Sequence, residues 1–148
     1  MGMVYTEITL KNVWDEEKAE AGLIRAEDIR TATVTAVVDT GAMSLVITEE
    51  LCQKLGLRIK GERIARTANG QRVSCKVTET VEVNWKNRDT TLPALVMPGA
   101  ETVLLGAIPL EGMDLMVNPA TRELVGAHGD DVEFLVLGAD SYYSALAG

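Results

Sequence analysis

The residues best equipped for chemistry are Asp39, Thr40 and Gly41. Asp39 ends an apolar run, Ala36-Val37-Val38, and the chain turns apolar again at Leu45-Val46-Ile47. A carboxylate held between two core-forming segments is costly unless it is solvated, hydrogen-bonded or functional. Thr40 adds a small hydroxyl donor, and Gly41 permits a sharp turn. A carboxylate so placed suits general acid–base work. The tripeptide alone is equally compatible with an ordinary strand-ending turn, where Asp and Gly are common. Its context adds weight: further on, Val103-Leu104-Leu105 is an apolar strand ending at Gly106, and a long hairpin with Asn69-Gly70 at its tip lies between.

Other reactive side chains carry less. His128 with Asp130 and Asp131 is the nearest thing to a metal motif, but one His at that spacing reads as a solvated loop, and no metal is expected. Cys52 and Cys75 read as small buried apolar residues, with no activating context for a nucleophile. Ser44 is not in a Gly-x-Ser-x-Gly elbow. No phosphate-binding glycine pattern is present. Asp114 reads as structural or solvated.

The chain has 148 residues, one domain's worth, with 47% apolar and 24% charged residues. Its net charge of −8 argues against a general nucleic-acid binder and against a basic membrane-surface protein. No apolar run approaches the roughly 18 residues of a membrane span. Met1–Leu10 has no leader-like pattern, and two cysteines cannot build a disulfide framework, so a cytoplasmic, reducing location is expected. Met1-Gly2-Met3-Val4-Tyr5-Thr6 fits a permissive myristoylation pattern, but a strand explains these residues better.

The elements that must position Asp39 follow from alternation. Val4, Thr6, Ile8 and Leu10 alternate with Tyr5, Glu7 and Thr9. Ala32, Val34, Ala36 and Val38 form one face of a second strand that runs into Asp39. Residues 14–22 suit a short helix or surface excursion. Thr48 suits an N-cap for a helix over Glu49–Leu55, with Gly56 as its stop. Strands are expected on both sides of Asn69-Gly70, then at Leu92–Met97, Thr102–Leu105, Glu123–Val125 and Phe134–Leu137, with a polar turn at Lys86–Asp89. Eight or nine short strands with one or two short helices make an all-β barrel or sandwich. There is no internal repeat.

Val37-Val38-Asp39-Thr40-Gly41-Ala42, the hairpin Thr67-Ala68-Asn69-Gly70-Gln71, and Val103-Leu104-Leu105-Gly106, in that order, resemble the retropepsin-like aspartic peptidases, the single-domain members of the pepsin clan. The stretch from Leu104 to Leu115 looks like that of small prokaryotic members. The resemblance covers roughly residues 1–126 and leaves 127–148 as a C-terminal extension of unknown role. It implies a closed β-barrel that supplies half of a two-lobed, pepsin-type site. It implies that Asp39 is the catalytic aspartate, that Thr40 braces the paired active-site loops, and that Gly41 and Ala42 shape the loop. Gly106 would let its strand pack closely behind the site, and Ala68, Asn69, Gly70 and Gln71 would form a flap over substrate.

Such chemistry takes two carboxylates sharing one proton: one activates a water, the other hydrogen-bonds the scissile carbonyl. No metal, cofactor or covalent intermediate is needed. One Asp-Thr-Gly, no repeat and 148 residues leave the second carboxylate to another chain, so a homodimer is expected. Ala42 offers the carboxylate no hydroxyl, which favours activity at weakly acidic to neutral pH. The expected function is an aspartic endopeptidase acting on extended peptide, with Leu45, Val46, Ile108 and Pro109 as candidate pocket residues. The alternative is a catalytically inactive dimeric module of the same fold that binds peptide or protein.

Overall fold

The computed structural model describes residues 3–129. Among the described residues nine strands run in chain order: β1 (Val4–Asn12), β2 (Thr31–Val38), β3 (Leu45–Ile47), β4 (Ile59–Arg66), β5 (Arg72–Trp85), β6 (Arg88–Val96), β7 (Val103–Leu105), β8 (Leu115–Asn118) and β9 (Glu123–Gly126). Three short helices interrupt them: α1 (Val13–Glu20), α2 (Glu49–Lys54) and α3 (Ala107–Gly112). A 3-10 turn covers Ala26–Asp28. The expected strand at Phe134–Leu137 lies outside the described residues.

The sheet closes on itself. Its order is β1-β2-β7-β3-β6-β5, and β5 returns to β1 through pairs from Thr9–Asn84 to Asn12–Val81. Six strands therefore form a closed barrel, and β4 hangs on β5 outside the ring. Closure removes the open edges of those six strands. β8 and β9 form a separate two-stranded sheet.

The period-2 pattern decides what faces inward. Ile8 and Leu10 of β1, Ala32, Ala36 and Val38 of β2, Val81 and Val83 of β5, and Ala94 and Val96 of β6 meet in one core. Leu45, Ile47 and Leu105 close it from β3 and β7, each fully buried. Each such Leu or Ile contributes roughly 1.5–3 kcal/mol by leaving water.

Local signals account for most boundaries. The Thr48 hydroxyl accepts from the Leu51 N–H at 3.1 Å and caps α2. Gly56 follows with φ +61°, the left-handed stop that sets the end of α2. α3 is one more helix than the one or two expected, because Gly106, Pro109 and Gly112 disguise it as loop. Pro109 sits in its first turn, where a missing N–H costs nothing. The polar turn at Lys86–Asp89 is also shorter than expected. Only Lys86 and Asn87 turn, with Trp85 opposite Arg88, and Arg88 is buried.

Candidate active site

Asp39 stands where β2 leaves the barrel. β7 runs parallel to β2 with Val38 opposite Leu105, and antiparallel to β3 with Leu45 opposite Leu105. β7 thus lies between the two strands that flank the Asp39 turn. The Asp39 N–H donates to the Leu105 carbonyl at 3.0 Å, which extends the ladder to the aspartate itself. The turn closes by the Ala42 N–H on the Asp39 carbonyl, 3.1 Å. The carboxylate is held from within the turn: Gly41 N–H donates to Asp39 Oδ1 at 2.9 Å. Asp39 is half-buried, while Thr40 and Gly41 are exposed at the tip. The half-buried Asp39 carboxylate thus sits on a turn whose backbone is tied to β7.

Gly106 begins the segment that ties down the other end of the turn. Its N–H donates to the Ser44 carbonyl at 3.0 Å, the Ala107 N–H to the Ala42 carbonyl at 2.9 Å, and the Ile108 N–H to the Met43 carbonyl at 2.8 Å. Three consecutive amides grip the far side of the Asp39 turn. A Cβ on Gly106 would fall 2.4 Å from the Ser44 carbonyl oxygen and 2.6 Å from that of Ala42. Both are backbone atoms with no freedom to move aside. Asp39, Thr40, Gly41, Ala42 and Gly106 are thus brought together in one constellation.

Ala68, Asn69, Gly70 and Gln71 lie elsewhere, at the exposed tip of the β4–β5 hairpin. The loop is longer than a two-residue turn: Arg66 opposes Arg72, and the Thr67 N–H donates to the Gln71 carbonyl at 2.9 Å. Gly70 takes the positive φ, +86°, whereas Asn69 works through its side chain. Its Oδ1 accepts from the Gln71 N–H at 3.2 Å and from the Thr67 hydroxyl.

Of the candidate pocket residues, Leu45, Val46 and Pro109 are buried, and Leu45 belongs to the core. The apolar side chains exposed beside the Asp39 turn are Met43 and Ile108, 72% and 49% exposed. Met43 was not singled out from the sequence. Its signal is an apolar residue directly after the small Gly41-Ala42 pair, where a polar loop residue would be ordinary.

The remaining reactive groups sit apart in structural roles. Burial pushes the Cys52 and Cys75 thiols up, keeping them protonated and poor nucleophiles. His128 Nδ1 lies 2.7 Å from Asp114 Oδ1, a pairing that sequence separation concealed. The buried Arg88 sits beneath them, donating to the Met113, Asp114 and Gly129 carbonyls at 3.0, 2.7 and 2.6 Å. Among the described residues no group of three or more His, Cys, Asp or Glu side chains converges as metal ligands do. No described helix is long and apolar enough to cross a membrane.

This architecture has a solved counterpart. EIAV protease, in complex with the inhibitor HBY-793, superposes with a TM-score of 0.54 at 18% identity, over 74% of this chain and 86% of the other. No curated protein matches the chain. The family model described as "gag-polyprotein putative aspartyl protease" matches residues 27–111, more than half of the chain and a span holding Asp39, the hairpin tip and Gly106. The chain belongs to this retropepsin-like aspartyl protease family.

Proposed function

We propose that the protein is an aspartic endopeptidase that works as a homodimer, with Asp39 of each copy flanking one water on a twofold axis. The observation that carries this reading is the Asp39 turn. The Asp39 carboxylate accepts from the Gly41 N–H, and the turn that carries it is held at the end of a closed barrel by the Gly106, Ala107 and Ile108 amides on the Ser44, Ala42 and Met43 carbonyls. A lone carboxylate lacks the partner that must donate to the scissile carbonyl. A twofold axis beside Thr40 supplies that partner from identical chemistry. Two carboxyls that close share one proton, so the ionised one takes a proton from water while the other polarises the carbonyl. Water attacks, and the tetrahedral intermediate collapses as the leaving amine is protonated. Thr40 braces the paired loops, and Ala68–Gln71 folds over an extended peptide held by backbone hydrogen bonds.

Incubation with a mixed peptide library, with and without pepstatin, tests the proposal. Cleavage that pepstatin blocks and that Asp39→Asn lowers by at least about a hundredfold is expected. Peptide binding with no cleavage from pH 3 to pH 8 would replace the enzyme with a binding module.

A further inference from the structure

Two register breaks flank the root of the β4–β5 hairpin. The β4–β5 ladder slips between Ile59 and Gly61, and the β5–β6 ladder slips between Val77 and Thr80. On the barrel side, Val81 to Asn84 pair with β1 and β6 together. On the tip side, Lys76 and Val77 still pair with β6 as well as β4, and Arg72 to Cys75 pair with β4 alone. Irregularities of this kind interrupt the ladder and bend strands, which makes such a joint a natural place for a hairpin to flex.

Glu79 occupies that joint and is 7% exposed. Arg58, just before β4, encloses its carboxylate. The Arg58 N–H donates to Oε2 at 2.6 Å, and Nε and Nη2 donate to Oε1 at 3.1 and 2.9 Å. The Glu79 N–H returns to the Arg58 carbonyl at 2.8 Å. The Trp14 ring of α1 lies against the guanidinium, 3.6 Å from its centroid to Cζ. This stack joins the hairpin root to a helix outside the family-matched span of residues 27–111.

α1 is itself fixed. The Asn12 side chain caps it and donates to the Leu55 carbonyl at 2.9 Å, and Asp15 takes both Nε and Nη2 of Arg30, at 2.8 and 2.9 Å. A guanidinium stacked on an anchored ring gives up less freedom when it grips a carboxylate.

We infer that Trp14, Arg58 and Glu79 are positioning residues that set how far the β4–β5 hairpin swings, and so govern entry of peptide over Asp39. This rests on the reading of that hairpin as the substrate cover. Trp14 orients Arg58, Arg58 locks Glu79, and the lock spans the break in the ladder. Loosening it lets the tip sample open positions, so peptide is held less well while the Asp39 chemistry is untouched.

Amide hydrogen exchange on the full-length protein, with peptide kinetics alongside, tests the clamp in Trp14→Ala, Glu79→Gln and Trp14→Phe. Residues 62–66 and 72–76 are expected to exchange at least about tenfold faster in W14A and E79Q, with β1 and β2 unchanged. W14F, which keeps a stacking face, stays within about twofold of wild type. KM rises about threefold or more in W14A, with a smaller change in kcat. Faster exchange spread equally through β1 and β2, no acceleration in the hairpin, or a fall in kcat with KM unchanged would each overturn the clamp. Absence of Asp39-dependent cleavage in the wild type would instead remove the functional reading, and the exchange pattern alone then decides whether the clamp exists.

Discussion

A methyl group on Gly106 would collide with two backbone carbonyls that belong to the Asp39 turn. Gly106→Ala is therefore expected to cost about 1–3 kcal/mol, and more if the turn is displaced. Urea unfolding measures it, and an unchanged midpoint would mean that the β7 junction is looser than its three amide bonds imply. Activity should fall further than stability, since the same bonds aim Asp39. Asp39→Asn is the complementary case. The amide preserves an oxygen for the Gly41 N–H, so folding is expected to be retained while the carboxyl that the proposed pair needs is removed. Asp39 itself was legible in the sequence, because a carboxylate between Ala36-Val37-Val38 and Leu45-Val46-Ile47 invites explanation. The pairing of His128 with Asp114 was not, because neither residue has a local pattern pointing to the other.

Among the elements, α1 and the hairpin root carry two buried carboxylates, Asp15 and Glu79. The Arg30 fork and the nearby Lys18 hold Asp15 well below the usual carboxylate range, against the opposing effect of burial. Burial pushes Glu79 up, but the bonds from Arg58 outweigh it, and Glu79 ends lowered. A carboxyl lowered on folding contributes stability that is fully present above its unfolded value, about 3.9 for Asp and 4.3 for Glu, and is lost as pH falls through the folded value. Glu16, pushed up by burial and by Glu82, works in the opposite sense and offsets part of the loss. The urea midpoint should hold from pH 7 to about 5 and decline below about 4, with Asp15→Asn flattening the acid limb. A midpoint unchanged down to pH 3 would show that these pairs contribute nothing. The long barrel strands β1, β2 and β5 were legible through their alternation, whereas β3 and β7 were legible as short apolar runs. α3 was not, since Gly106, Pro109 and Gly112 weaken any helical signal, and the helix is held by packing against β6 and β8.

At the scale of the whole molecule, the barrel is closed but the proposed site is half a site. Activity should then depend on association. Specific activity is expected to fall on dilution, and equal mixing with Asp39→Asn chains should leave about half the activity per wild-type chain, because mixed dimers lack one acid. Activity that dilution and mixing leave unchanged would mean that a single chain suffices. The proposed twofold arrangement rests on counting, one Asp-Thr-Gly without a repeat, while the hairpin joint depends on register breaks that no single-residue pattern announces. The most direct measurement is the separation of the two Asp39 carboxyl groups in a crystal of the assembled protein. The account predicts about 3 Å, the distance at which two carboxyls share one proton. Carboxyl groups facing apart, or a molecule that crystallises with no partner near Asp39, would contradict it.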